Sequence, residues 1–166
     1  MGVEIDSVAP GVIIRSRNAF GAMTREIVVD STTNVYTAND QVGSLLNFAD
    51  LIPEAGGAAY IETATLLDDQ VATSLAAELW LFSRPVTDAG ENAAHSLSDA
   101  DARFCVGVIA FSTYYTSALN QNSQVQWGRL VQFDPTRRGL YGLLVTRGAP
   151  TYVANGVRLR LSVLPV

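Results

Sequence analysis

Four carboxylates crowd one stretch of the chain, Asp88, Glu91, Asp99 and Asp101, and the only histidine, His95, sits among them. Side chains of these types can hold a metal or pass protons, and each task makes a demand on number and spacing. Zinc takes roughly three or four ligands, mostly nitrogen or sulfur. His95 and Cys105 are the only histidine and cysteine, so no single-chain zinc site is expected. Calcium takes about six to eight oxygens from a closely spaced set, and this spacing matches no calcium loop. A Ser-His-Asp triad could be drawn from His95 with Asp99 or Asp101. However, the strand-turn-helix signature G-x-S-x-G is missing, and a lone loop histidine more often bonds its own loop. No pair of carboxylates stands out for glycoside hydrolysis. The glycines sit singly or as Gly56-Gly57, without a phosphate-cradling loop. The expectation is a protein without catalytic, cofactor or metal residues.

The elements that carry this stretch are clearer than its chemistry. Leu75 to Phe82 is apolar on both pleat faces: Leu75, Ala77, Leu79 and Leu81 on one, Trp80 and Phe82 with Glu78 on the other. Phe104 to Phe111 repeats the pattern, within a strand expected over Phe104–Thr113. Such strands lie inside a sandwich or have an outer face covered. The intervening residues 83–103 form a loop too long for a simple hairpin, and long loops are usually functional or interfacial. Within it Ser98 caps one short helical turn, with Asp99 and Asp101 at its positive end. Further strands are expected at Thr24–Asp30, Val42–Phe48, Ala58–Leu67, Trp127–Phe133, Leu140–Thr146 and Val157–Leu164. In Ala58–Leu67 the alternation places Ile61, Thr63, Thr65 and Leu67 on one face. The last strand has the cleanest period, Val157, Leu159, Leu161 and Val163 in and Arg158, Arg160 and Ser162 out. The polar stretch Tyr114–Gln126 reads as a loop. The fold expected is all-β, a jelly-roll-like antiparallel β-sandwich of about eight strands with one short helix. It forms a single domain over residues 24–166, after an N-terminal arm over 1–23 that holds one short strand near Val12–Ile14.

Composition sets outer bounds. At 166 residues the chain can bury a core of its own. It is 48% hydrophobic and only 16% charged, which fits either a surface partly covered by something else or an ordinary β protein rich in Thr, Ser and Asn. A net charge of -5 argues against nucleic acid, which needs a basic face. All eleven basic residues are arginine, a side chain suited to half-buried ion pairs and interfaces. No apolar run reaches the ~20 residues that span a bilayer. Met1–Pro10 lacks the basic start of a secretion signal, so use without secretion or membrane anchoring is expected. Cys105 is expected to be a buried, unreactive thiol.

Several motifs, taken in order, resemble the capsid decoration (head auxiliary or cement) proteins of tailed bacteriophages. They are Tyr36-Thr-Ala-Asn-Asp-Gln-Val-Gly, Leu79-Trp-Leu-Phe-Ser-Arg-Pro, His95-Ser-Leu-Ser-Asp-Ala-Asp and Leu144-Val-Thr-Arg-Gly-Ala-Pro-Thr-Tyr, followed by the alternating last strand. The resemblance covers about residues 24–166. It implies a non-catalytic virion protein, made in the host cytoplasm, that binds the outer surface of the assembled head. The implied partners are the major capsid protein and further copies of itself, as a dimer or trimer, with no nucleic acid, membrane or cofactor. The contact residues expected are Arg15, Arg17, Trp80, Phe82, Arg84, Asp88, Glu91 and His95, with the long loop shaping a contact at one end of the sandwich. The alternative is a carbohydrate- or receptor-binding β-sandwich of a phage fibre or tail, using exposed aromatics. A small jelly-roll hydrolase or isomerase would ordinarily need several histidines on a metal, and one histidine argues against it.

Overall fold

The computed structural model describes residues 21–70 and 76–166. Nine strands and one helix occur there: β1 (Met23–Val29), β2 (Gln41–Phe48), β3 (Ala58–Asp68), β4 (Ala77–Phe82), α1 (Asp99–Ala102), β5 (Cys105–Phe111), β6 (Tyr115–Thr116), β7 (Gln121–Gln132), β8 (Leu140–Thr146) and β9 (Val157–Pro165). They form a five-stranded sheet in the order β1-β9-β3-β7-β6 and a four-stranded sheet in the order β2-β8-β4-β5. All pairings are antiparallel. β1 pairs with β9, β2 with β8, β3 with β7 and β4 with β5, so the pairs are nested like one long hairpin rolled on itself. That nesting is the jelly roll. Arg15, Arg17, the short strand near Val12 and Leu75 lie outside the described residues.

The two inner faces make the core. From β9, Val157, Leu159, Leu161 and Val163 are fully buried, as their period requires, and Ala77, Leu79 and Leu81 of β4 meet them from the other sheet. The second apolar face of β4 is buried too. Phe82 joins Leu143 and Val86 in a separate small cluster, with Leu45, Trp80, Leu97, Phe104, Cys105 and Tyr141 packed around it. Val86, Leu97 and Phe104 come from the loop and its end. The long loop therefore lies flat over the outer face of the four-stranded sheet, rather than projecting from one end of the sandwich. Cys105 is only half-buried at the margin of that cluster.

Two strands differ from expectation. In β3, Ile61 faces Val163 while Thr63 faces Ser162, so Glu62 is an extra residue, a β-bulge. The bulge reverses the alternation: Ile61, Ala64 and Leu66 point in, and Thr63, Thr65 and Leu67 point out. Unbroken alternation cannot foresee this, because one inserted residue exchanges the two faces. β7 begins at Gln121, inside the stretch read as a loop. Gln121 and Ser123 point inward although polar; the Gln121 amide donates to Asp68 Oδ2 at 2.9 Å and to the Gln70 carbonyl at 3.3 Å.

The flank where β5 meets β7 is closed by one ring. Trp127 lies over Gly107, and a Cβ at Gly107 would sit 2.5 and 2.6 Å from two ring carbons. Replacing Gly107 by Ala should therefore force the indole outward, lowering stability by about 1–3 kcal/mol. The check is the urea midpoint, with a drop in tryptophan emission burial as the accompanying signal.

Candidate functional site

The acidic loop builds the most elaborate polar arrangement of the molecule. β2 is an edge strand, and its register breaks between Val42 and Leu46, where Gly43 takes a φ of +71°. The break turns three consecutive backbone N–H groups away from the sheet. Each meets a different carboxylate. Gly43 N–H donates to Glu91 Oε2, Ser44 N–H to Asp30 Oδ1 at 2.7 Å, and Leu45 N–H to Asp88 Oδ2 at 2.8 Å. The Ser44 hydroxyl adds a second bond to Asp30 at 2.7 Å. Glu91 also accepts from Thr32 N–H at 3.1 Å, from the Thr32 hydroxyl at 2.8 Å and from the Tyr36 hydroxyl. Burial raises Asp30, but the Ser44 bonds outweigh it and hold the carboxyl below its ordinary range. Tyr36 is raised to about 12, first by burial and then by its bond to Glu91, which keeps it a donor.

The backbone of the loop continues the work along the same edge. Gln41 N–H donates to the Ala93 carbonyl at 2.8 Å, Asn92 N–H to the Gln41 carbonyl at 2.9 Å, and His95 N–H to the Asn39 carbonyl at 2.7 Å. Asp40 and Ala94 form an isolated bridge. An open sheet edge is a template for unwanted pairing, and here the loop occupies it. The motif Tyr36 to Gly43 acquires physical meaning. The Tyr36 ring packs edge-on to Tyr152 at 5.5 Å, Asn39 takes a φ of +78°, and Asp40 Oδ2 closes the turn on Thr37 N–H at 2.6 Å.

His95 belongs to a second cluster on the same covered face. Its ring lies 5.1 Å from that of Trp80. Trp80 Nε1 donates to Glu78 Oε2 at 3.0 Å, and Arg147 reaches the same oxygen at 2.6 Å and also donates to Asn39 Oδ1. Burial lowers the His95 pKa and the Arg147 charge adds to it, against the opposing pull of Glu78. His95 Nδ1 is buried with no hydrogen-bond partner in the structure. Among the described residues, no three His, Cys, Asp or Glu side chains are grouped as metal ligands would be.

The expected contact residues thus separate. Asp88 and Glu91 bind the backbone of β2. Phe82 is fully buried beneath the loop and has no surface to offer a partner. Trp80 and His95 are half-buried against each other. Arg84 remains accessible while it pairs with Asp134 at 2.5 Å and stacks over Phe104 at 5.1 Å. Asp134 is held down to about 2, first by Thr136 through its hydroxyl and N–H, then by Arg84. Sequence reading missed Asp30, Glu78, Asn39 and Arg147; Asp30, Asn39 and Arg147 lie far along the chain from residues 83–103, and only the fold brings them to this face. Ser98 does cap α1, accepting from Asp101 N–H at 3.1 Å. No protein-family model matches the chain, and no curated protein is significantly similar to it.

Glu91→Ala should leave Gly43 N–H and the Tyr36 hydroxyl without their acceptor and lower stability by about 2–4 kcal/mol. Glu91→Gln, which keeps one acceptor oxygen, should lose less. Chemical denaturation of both variants measures this, and an alanine variant as stable as the parent would refute the stapling role.

Acid should act through two limbs. A lowered histidine resists protonation when folded, so the His95 contribution is present above the unfolded value near 6.5 and lost as pH falls below it. His95→Gln should flatten the melting temperature between about pH 7 and 5. Asp30, Glu78 and Asp134 are all depressed, so their contribution is full above the ordinary carboxylate values of about 4 and is lost as pH falls through their lowered folded values, about 2 for Asp134. Melting curves across that range read both limbs.

Proposed function

We propose that this chain is a non-catalytic structural protein of a tailed-phage head, bound to the outer surface of the assembled shell and stabilising it. The resemblance in its motifs suggests this, and the jelly-roll architecture agrees with it. The observation that carries the reading is the character of a large sheet face that the described residues leave open. The outer face of β1-β9-β3-β7-β6 presents Thr24, Ser162, Thr63 and Gln126 in one cross-strand row, and Thr65 beside Gln124 in the next. Leu130, Tyr60 and Leu164 form an apolar row at one end. The charges at the other end are paired, Arg160 with Glu26 at 2.6 Å and Arg158 with Asp69 at 3.0 Å. Such a face is rigid, nearly neutral and rich in hydrogen-bonding groups. It suits a broad contact with another protein and offers little for chemistry. A protein that binds only the assembled shell stabilises it by mass action, and many copies per particle add avidity.

Cosedimentation with expanded heads tests the reading. Binding is expected, and Tyr60→Lys combined with Leu130→Glu should weaken it at least about tenfold, since apolar anchors dominate such contacts. Protein that neither binds expanded heads nor occurs in virions by mass spectrometry would overturn it.

A second reading rests on a pocket on that face. It has a volume of about 340 Å³ and is lined by Tyr60, Glu62, Gln126, Trp127, Gly128 and Leu164. Aromatic, amide and carboxylate groups around a shallow pocket also suit a saccharide, as in a fibre or tail module. Glycan-array binding that Tyr60→Ala abolishes would favour this reading over the shell.

A further inference from the structure

At one end of the four-stranded sheet lies an open pocket of about 190 Å³, and none of its lining residues comes from the acidic loop. Asn47 of β2 and Tyr141 of β8, directly opposite in register, line it side by side. Asp50 joins them from the turn after β2, and Thr136, Arg137 and Arg138 from the connection before β8. The chain as a whole carries a net charge of -5, yet the charged groups lining this pocket are two arginines and one aspartate.

Asp50 pairs with Arg138 at 2.5 Å, and both side chains are about half exposed. Arg137 pairs with no carboxylate among the described residues. Its Nη1 donates to the Tyr141 hydroxyl at 2.7 Å, and its guanidinium carbon lies 5.3 Å from the centre of that ring. The acid of its own connection, Asp134, is already occupied by Thr136 and Arg84. Because the Tyr141 hydroxyl accepts from Arg137, its own proton remains to be donated. The exposed Asn47 amide adds two further N–H groups.

The backbone beneath these groups is fixed. The Arg137 carbonyl accepts from Gly56 N–H and the Arg138 carbonyl from Ile52 N–H, both at 3.1 Å, and Arg137 N–H closes the turn on the Asp134 carbonyl at 2.9 Å. Gly139 lies so close to β2 that a Cβ there would sit 2.3 Å from the Phe48 carbonyl oxygen. Donors on a backbone held this way lose less freedom when a ligand arrives.

We propose that this pocket binds a phosphate group, as the free ion or as a phosphomonoester. Arg137, Arg138, Tyr141 and Asn47 bring donors from three separate stretches of chain, two of them cationic. Such a set exceeds the needs of the two oxygens of a carboxylate and matches the larger charge and oxygen count of a phosphate. An exposed ion pair is weak, so an entering phosphate displaces Asp50 from Arg138.

The test is a titration of the full chain, followed by amide and side-chain NMR at fixed pH and ionic strength. It needs no shell, and the pocket lies on the other sheet from the open face, so its outcome is independent of the proposed function. Inorganic phosphate, phosphoserine and acetate are the probes. Either phosphate compound should give saturable shifts centred on Asn47, Gly139 and Tyr141, and the tighter of the two tells a free ion from a phosphate on a larger group. Arg137→Gln should weaken binding at least about tenfold through loss of a charge-assisted hydrogen bond. Asn47→Asp, which adds a carboxylate without touching the turn, should weaken it too. Asp50→Asn should tighten binding several-fold, whereas Asp69→Asn, which frees Arg158 on the other sheet, should leave it unchanged. Absence of saturable shifts at this pocket, binding that survives both weakening substitutions, acetate bound as well as phosphate, or equal tightening by Asp69→Asn would each overturn the inference.

Discussion

Three successive N–H groups at the break in β2, each held by a carboxylate from elsewhere in the chain, set the architecture of this protein. Without acceptors those groups would face a half-buried, poorly solvated edge, and an unmet donor there is destabilising. With Glu91, Asp30 and Asp88 in place, the loop is fixed along the edge and across the sheet. The loop then buries Phe82, Val86 and Leu143. A sheet that would otherwise expose an apolar face becomes covered on both sides. The arrangement explains an oddity of the sequence, an acidic loop between two strands that are apolar on both faces.

The distribution of arginine follows a similar logic. Five of the described arginines, Arg84, Arg138, Arg147, Arg158 and Arg160, reach carboxylates at 2.5–3.0 Å. These pairs hold loops to strands and strands to each other. Exposed pairs of this type add little stability individually. Their larger effect is to neutralise surface locally, as Arg158 and Arg160 do at one end of the open sheet face.

Much of the architecture was legible because burial imposes a period. Val157–Val163 alternates without exception, and Ala77–Phe82 is apolar on both faces because both are covered. The strand class, the Ser98 cap and the tight Asp134–Gly139 connection all follow from local chemistry. What was illegible depends on distant contacts. Glu62 is an ordinary residue, and nothing beside it announces a bulge. Gln121 and Ser123 look like loop residues until Asp68 and the Gln70 carbonyl are brought beside Gln121. Asp88 and Glu91 read as contact residues for a partner because the groups they bind in the chain itself, the N–H groups of Gly43 and Leu45, carry no side-chain signature. Phe82 looked like an anchor for a partner, and its partner is the loop of its own chain.

Nested pairing also sets an order in time. β4 and β5 are the innermost pair, whereas β1 and β9 are joined across almost the whole chain; the Thr24–Ser162 hydrogen bond links residues 138 positions apart. Loops that long close slowly, and folds dominated by such pairings are slow to form. β9 is not a late addition at the margin: it lies between β1 and β3. Until the last strand leaves the ribosome, the five-stranded sheet has a gap at that position and β1 has no neighbour within it. Completion of this sheet therefore waits for β9, which acts as the bolt that closes it.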